Sequence, residues 1–411
     1  MAPLRRPVNA ARVESQRLSI RGRSVAVDDV AACQAALASV HDSAERPRCL
    51  CVAGGVEMYV AFHRRYVAKR MPDTGPRHHP RCPSFDPGAE ASGRGELAHD
   101  AVVERGDGSV ELRVDFPWCR QPRQIAITMP PVERAVVTTA DRCLSLRGLA
   151  HFLLERAGFN RWSPAMAGKR NQAVLHKYLL RAAEQVTVKG LTLAERFYVP
   201  EPFSEATRAA VADRRRARLR VLTPRADGQA PLALLIGEYK DAESVPAGRR
   251  IWVRHMPDTP LFIGEATWLR FARSFETILA ARDADQAHPV RLILVALLRS
   301  RLAYAYEIDS ACLLMATRDW IPVEGLHELP LLTALVDAQR RFIKPLRYDA
   351  TCAAGLANVL LLDTEAAPTP LHLLSPFMAP KERVAKERAL PGPDVWLWSI
   401  DEPMPRLPVA G

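Results

Sequence analysis

The apolar positions change period along the chain, and the changes mark its parts. Residues 28–40 place Val30, Cys33, Leu37 and Val40 at helical spacing, which predicts a short helix. Residues 56–62 and 65–71 alternate in part between apolar and polar, which predicts a β-hairpin. Residues 101–105 and 110–116 flank Gly106-Asp107-Gly108 and predict a second hairpin. The middle of the chain is helical. Residues 146–157 carry Leu149, Phe152, Leu153 and Ala157 on one face, with Ser145 as N-cap and Gly158 as the stop. Residues 171–186 carry Val174, Leu175, Tyr178, Leu179 and Ala182 on another. A strand over 193–199 and a helix over 205–219 follow, and this order suits a winged-helix-like unit.

Beyond residues 223–231, which read as a linker, strands alternate with helices. Strands are expected at 232–239, 250–254, 291–298, 302–308, 312–317, 358–363 and 370–374, and helices at 267–281 and 329–342. The run 291–298 is almost continuously apolar, as a strand buried on both faces requires. The chain therefore reads as an α+β / α/β multidomain protein. Its expected parts are an N-terminal region (1–95), a hairpin plus helical region (96–225), an α/β domain (226–378) and a Pro-rich tail (379–411). A length of 411 residues accommodates such a division.

Composition adds a sign. Lys and Arg number 57 against 46 Asp and Glu, for a net charge of +11. A basic balance favours acidic partners such as nucleic acid. Nearly all of the excess is arginine. With abundant Ala and Pro, that is also what a GC-rich bacterial genome produces. The N-terminus has no apolar signal region, and no apolar run approaches the ~20 residues of a membrane helix. A cytoplasmic protein with reduced thiols and no membrane partner is expected. The eight cysteines are too sparse for a secreted disulfide scaffold.

Three of those cysteines cluster with two histidines. Cys49-Leu50-Cys51 and His78-His79-Pro80-Arg81-Cys82 flank the first predicted hairpin, which would bring the two pairs together. Zinc takes four soft or borderline ligands in a tetrahedron. Cys49, Cys51, His78 and Cys82 are the expected ligands, with His79 as the alternative histidine. Four protein ligands leave no open position, so a structural Zn2+ is expected, stapling a β-hairpin module over 46–87.

These segments, with Met58-Tyr59-Val60-Ala61, Lys69-Arg70-Met71-Pro72-Asp73-Thr74-Gly75 and the Pro83-Ser84 that follows Cys82, resemble the bacterial "domain of unknown function 1173" family. The resemblance continues in Asp319-Trp320-Ile321-Pro322-Val323-Glu324 and Phe342-Ile343-Lys344-Pro345-Leu346-Arg347-Tyr348, and spans about residues 46 to 378. It implies a plasmid or conjugative-element setting and a raised expectation of nucleic-acid association. It implies no reaction.

Two segments suggest nuclease chemistry. Glu328, Asn358 and His372-Leu373-Leu374 echo the layout of a PD-(D/E)xK nuclease, but Asn and His stand where an active enzyme wants carboxylates. A degenerate version of that fold is expected. The second is Glu238-Tyr239-Lys240 at the end of an apolar strand, where period two would put Glu238 and Lys240 on one face. Asp213, Asp227 or Asp363 would supply a second carboxylate, and Mg2+ is implied only in that case. Nucleic-acid contacts are expected from Lys169 and Arg170 at a helix start and from Arg214, Arg215, Arg216 and Arg218 on one helix. Trp162 and Trp268 read as core anchors. Cys312 and Cys352 read as small core residues. Gly-x-x-x-x-Gly-Lys-Ser/Thr, Gly-x-Ser-x-Gly and His-Glu-x-x-His are absent from the sequence.

The expected role is a zinc-containing, non-catalytic nucleic-acid-associated protein of a bacterial mobile element. The alternatives are a metal-dependent nuclease using Glu238 and Lys240, and an interaction scaffold for a conjugation or plasmid protein.

Overall fold

A computed structural model describes residues 16–120 and 142–411, less 63–64, 72, 99, 106–107, 225, 227, 285–289, 303, 351–352, 365–366, 377, 379, 391 and 393–394. The turn residues 63–64 and 106–107, with Pro72, Asp227 and Cys352, therefore lie outside the described residues. The chain divides into two compact units, Met1–Gly88 and Ala89–Gly411. No helix among the described residues is long and apolar enough to cross a membrane.

In the first unit an antiparallel sheet has the order Arg23–Ala26, Arg17–Ile20, Arg48–Cys49, Val56–Phe62, Tyr66–Arg70. The last two strands are the predicted hairpin. The helix Val30–Ala38 is capped by Asp29, whose carboxylate accepts from Ala32 N at 3.1 Å, and it buries Cys33 and Leu37. The apolar interior is small: Leu18, Ile20, Cys33, Leu37, Val40, Val56 and Met58. Neither of the two large hydrophobic clusters among the described residues takes a side chain from this unit. A unit with so little core needs another source of stability.

The second unit is organised by a ring of five strands: Ala233–Val245, Gly248–Val253, Leu261–Gly264, Arg291–Leu302 and Ala305–Ala316. The first pairs with the second, the second with the third, and the fourth with the fifth, all antiparallel. The third pairs with the fifth in parallel. Ala233–Glu238 of the first strand pairs with Ile293–Leu298 of the fourth, so the pairing closes on itself. Helices Glu265–Ser274 and Glu276–Ala284 lie between the third and fourth strands. This strand order, with a helix after the third strand, is that of the five-stranded OB barrel. A register shift between Tyr239 and Asp241 marks where the first strand exchanges the fourth strand for the second. A bulge bends and twists a strand, as such a corner requires. Gly237 beside it faces Val253, whose Cγ1 would lie 2.7 Å from any added Cβ.

The apolar run 291–298 is indeed buried on both faces, but in a largely antiparallel barrel. Leu292, Leu294, Ala296 and Leu298 join Leu235, Ile251, Val253, Leu261, Ile263 and Met315 in one cluster, the barrel interior. Ile293, Val295 and Leu297 point the other way. They pack with Leu234, Ile236 and the helices Leu146–Arg156 and Gln172–Ala183, through Leu149, Phe152, Leu153, Leu175 and Leu179. The helical middle and the barrel thus share one core. Ser145 and Asn171 cap those helices with side-chain bonds to Gly148 N and Val174 N.

The start of this unit, the end of the expected 223–231 linker and the expected tail are all built into it. Residues 89–91 and 93–97 form 3-10 turns, and Gly93 N donates to Leu346 O at 2.9 Å. A Cβ on Gly93 would lie 1.9 Å from Arg347 O, so only glycine fits. Ala230–Pro231 pairs with Cys119–Arg120. The C-terminal segment adds helix Pro380–Ala389 and strand Trp396–Ser399 to a sheet of Thr369–Leu374, Val359–Leu361, Phe342–Ile343 and Arg161–Trp162. Trp396-Leu397-Trp398 thereby finds its packing place, parallel to Leu371–Leu373.

One buried histidine sets an expected pH response. His151 on the Leu146–Arg156 helix is 2% exposed and accepts from Tyr348 N at 3.1 Å through Nδ1. Burial pulls it from 6.5 down to about 4, so it is neutral in the folded chain. The unfolded chain takes up this proton first as pH falls below its ordinary value, and the folded chain only near the lowered one. The stability tied to the neutral form is therefore present above pH ~6.5 and lost as pH falls through ~4. Denaturant unfolding should show a loss of about 2 kcal/mol from this site between pH 7 and pH 5. His151→Asn should remove that part of the pH dependence.

Candidate metal centre

Cys49 ends a strand whose Leu18 and Val56 partners fix its register. Cys51 follows in the turn to the next strand, which two left-handed glycines, Gly54 and Gly55, reverse. The other pair is delivered by the segment after Arg70. Gly75 approaches Asp86 so closely that an added Cβ would lie 2.6 Å from the Asp86 Cβ. Arg70 clamps Asp86 at 2.5 Å. The 3-10 turn Gly75–Arg77 then leads into His78, and Cys82 N donates to His79 O at 2.8 Å.

Cys49, Cys51, His78 and Cys82 converge, with their ligand atoms all within 4.8 Å of one another. Cys49 and Cys82 Sγ are 3.7 Å apart, and His78 Nδ1 lies 3.3 Å from Cys51 Sγ and 3.7 Å from Cys82 Sγ. A tetrahedral ion bonded at ~2.3 Å to sulfur holds its sulfurs about 3.8 Å apart. Cys49 is fully buried, and His78 and Cys82 nearly so. The Cys82 thiol and then the Gln16 amide donate to Cys49 and hold it below the ordinary thiol range, while that same bond and burial push Cys82 up. Three sulfurs this close cannot all ionise without a cation among them. The cluster can therefore hold a metal ion. His79 turns away, its Nδ1 accepting from Arg81 N at 3.2 Å.

Sequence reasoning missed two supporting residues. Gln16 Nε2 donates to Cys49 Sγ at 3.3 Å and to Ser84 Oγ at 2.9 Å, and Ser84 N donates to Cys82 Sγ at 3.4 Å. Gln16 is remote in sequence, and only the pairing of the Arg17–Ile20 strand that follows it with the Cys49 strand brings it there.

The expected catalytic pair is not assembled. Glu238 is 6% exposed and accepts from Arg291 at 2.9 Å and Arg254 at 3.0 Å. Two guanidinium groups occupy the place a cation would take. Lys240 is exposed and sits in the register shift, where the two-residue alternation that would align it with Glu238 fails. Asp213 pairs with Arg216, and Asp363 with Arg340. Among the described residues, no group of three carboxylate, thiol or imidazole ligands gathers other than the cysteine–histidine cluster.

Glu328 is likewise engaged. Lys344 Nζ lies 3.0 Å from its Oε1, Asn358 Nδ2 donates to the same oxygen at 2.8 Å, and Glu324 N donates to Oε2 at 2.8 Å. Lys386 Nζ donates to Asn358 Oδ1 at 2.6 Å. His372 is buried on the strand Thr369–Leu374, whose Leu373 N donates to Asn358 Oδ1 at 3.0 Å, and burial, then Lys386, lowers it to about 4.

The expected basic surface is partly engaged within the fold. Arg215 is 2% exposed and pairs with Asp258 at 2.6 Å. It shares the buried helix face of Val211, Ala212 and Leu219, a spacing visible in the sequence. Arg170 is half-buried and donates to the carbonyls of Phe159, Gly158, Asp319 and Arg161. It ties loops together and is not presented to a ligand. Arg214 is exposed but forked onto Glu201, and Arg218 donates to the carbonyls of Phe197 and Ala194. Lys169 and Arg216 are exposed, the latter paired with Asp213. Trp162 is buried, as expected of an anchor, and Trp268 is half-buried.

Two outcomes follow from this geometry. His78→Ala should lower the metal retained after purification, measured by atomic emission, whereas His79→Ala should leave it unchanged. Glu238→Ala should cost about 1–3 kcal/mol in denaturant unfolding, because Arg291 and Arg254 lose their shared partner. It should change no metal-dependent cleavage of DNA.

No curated protein and no solved structure matches this chain. The model of one family of proteins of unknown function, domain of unknown function 1173, matches residues 18–401. Most of both compact units falls within that match, the cysteine–histidine cluster and the barrel included, and the chain belongs to this family.

Proposed function

We propose that the chain is a zinc-containing, non-catalytic nucleic-acid-associated protein. The observation that carries the nucleic-acid part is the five-stranded barrel, because its topology is one whose outer face serves oligonucleotide binding in other proteins. The net charge of +11 suits such a partner. Fold alone fixes no function, so the reading stands on binding.

Zinc is the metal this donor set suits best. Three thiolates and an imidazole are its usual structural ligands, and four protein ligands leave no position for a substrate. Metal would supply the first unit with the stability its small core lacks. The C-terminal helix and sheet are read as a degenerate relative of the PD-(D/E)xK nucleases. Glu328 remains, Asn358 and His372 stand in place of carboxylates, and Lys344 and Lys386 hold the polar groups that a metal would otherwise need. The bacterial mobile-element setting rests on the family resemblance alone.

The purified chain should carry about one Zn2+, lost in Cys49→Ser along with the stability of the first unit. Labelled single- and double-stranded DNA should bind with an affinity that falls steeply with salt. A metal-free chain that folds normally overturns the zinc reading. Failure to bind either DNA at low salt overturns the nucleic-acid reading and leaves the interaction scaffold.

A further inference from the structure

We propose that the outer face of the barrel's second and third strands, together with the hairpin joining its fourth and fifth, is a stacking surface for single-stranded nucleic acid. The proposal rests on the nucleic-acid reading above and names the site and the strand type.

Strand alternation sorts the face. Ile251, Val253, Leu261 and Ile263 point into the barrel, which turns Arg250, Trp252 and Phe262 outward. The register sets Arg250 directly opposite Phe262. Gly248 makes room for the Phe262 ring, since a Cβ there would lie 3.0 Å from Phe262 Cζ. The Arg301 guanidinium lies 3.7 Å from the centre of that ring. Arg301 itself is exposed and leads into the hairpin Leu302–Ala305.

That hairpin exposes what a folded chain normally hides. Leu302 is 70% exposed and Tyr304 68%, and Tyr304 holds a left-handed backbone with φ 62°. The Arg216 guanidinium lies 5.5 Å from the Tyr304 ring centre. The face thus holds Arg250 across from Phe262 with Arg301 over that ring, and the hairpin that Arg301 leads into presents Tyr304 with Arg216 beside it. Each of these two aromatic rings, Phe262 and Tyr304, has a guanidinium beside it.

This is the pairing that unstacked bases and their phosphates need: planes to stack on and cations along the backbone. A duplex keeps its bases stacked and offers this surface only phosphates. The acidic side chains next to the surface define its limits. Asp241 and Glu243 lie on the first strand, opposite Trp252 and Arg250. Glu307, opposite Phe262 on the fifth strand, is held by Arg299 at 2.7 Å. A bound strand is thus steered away from the first strand and toward the 4–5 hairpin. The burial of Arg215 does not touch this surface, to which the expected helix patch contributes the exposed Arg216.

The test is fluorescence anisotropy of the full chain with labelled oligothymidine of about twenty nucleotides and with a mixed-sequence duplex of the same length. Wild type should prefer the single strand. Tyr304→Ala and Arg301→Ala should each weaken single-strand binding about tenfold, with Tyr304→Phe retaining it. Arg250→Glu should weaken it and reduce the salt slope by about one to two. Thermal unfolding of the exposed variants should match wild type. Unchanged single-strand binding in correctly folded variants overturns the site while the nucleic-acid reading stands. Preference for duplex also overturns it, and no binding of either DNA by wild type overturns both.

Discussion

The ladder between Ala233–Glu238 and Ile293–Leu298 is the interaction on which the second unit depends. It closes the barrel, and it does so in two strands that are apolar on both faces. One face fills the barrel with Leu292, Leu294 and Leu298, and the other receives the helices through Ile293, Val295 and Leu297. Burying both faces removes a large apolar area from water and satisfies every backbone group of the ladder at once. It also explains why the helical middle and the barrel are inseparable: each covers one side of the same strands.

Charge is used in this unit mainly to complete the interior. Glu238 is shared by Arg254 and Arg291, Arg215 is seated on Asp258, and Glu328 is bonded to Lys344 and Asn358. A buried charge is tolerated only when paired, and these pairs leave no open coordination or nucleophile. Glu238, Glu328 and Arg215, which look catalytic or nucleic-acid-binding in sequence, are thereby engaged in the interior. Outside remain Arg216 and other arginines of the helix, together with Arg250, Arg301 and Tyr304 at the second strand and the 4–5 hairpin.

The first unit solves stability differently. Its sheet carries few large apolar side chains, and its turns are fixed by Gly54, Gly55 and Gly75 and by the Arg70–Asp86 pair. Those turns bring three thiols and one imidazole to within 4.8 Å. A cation there would tie the ends of the hairpin to the strand before it.

Local chemistry was legible in the sequence where it depended on short range. Spacing alone pointed to Cys49, Cys51, His78 and Cys82, to the cap Ser145 and the two helices of the middle region, and to the doubly apolar run at 291–298. Period and spacing are properties of a few consecutive residues, so they survive without the fold. Long-range pairing decided the rest. Whether apolar strands lie parallel or antiparallel, that 302–317 is largely one strand, and that Gln16 meets Cys49 all depend on partners far away in sequence. Which arginines reach solvent was only partly readable: spacing puts Arg215 on the face of Val211 and Leu219, but does not name the element that covers it. The sequence by itself determined which three thiols and one imidazole cluster and most of the elements; the tertiary structure decided which charges are paired in the interior, since each pair forms only when its two strands or helices are brought together.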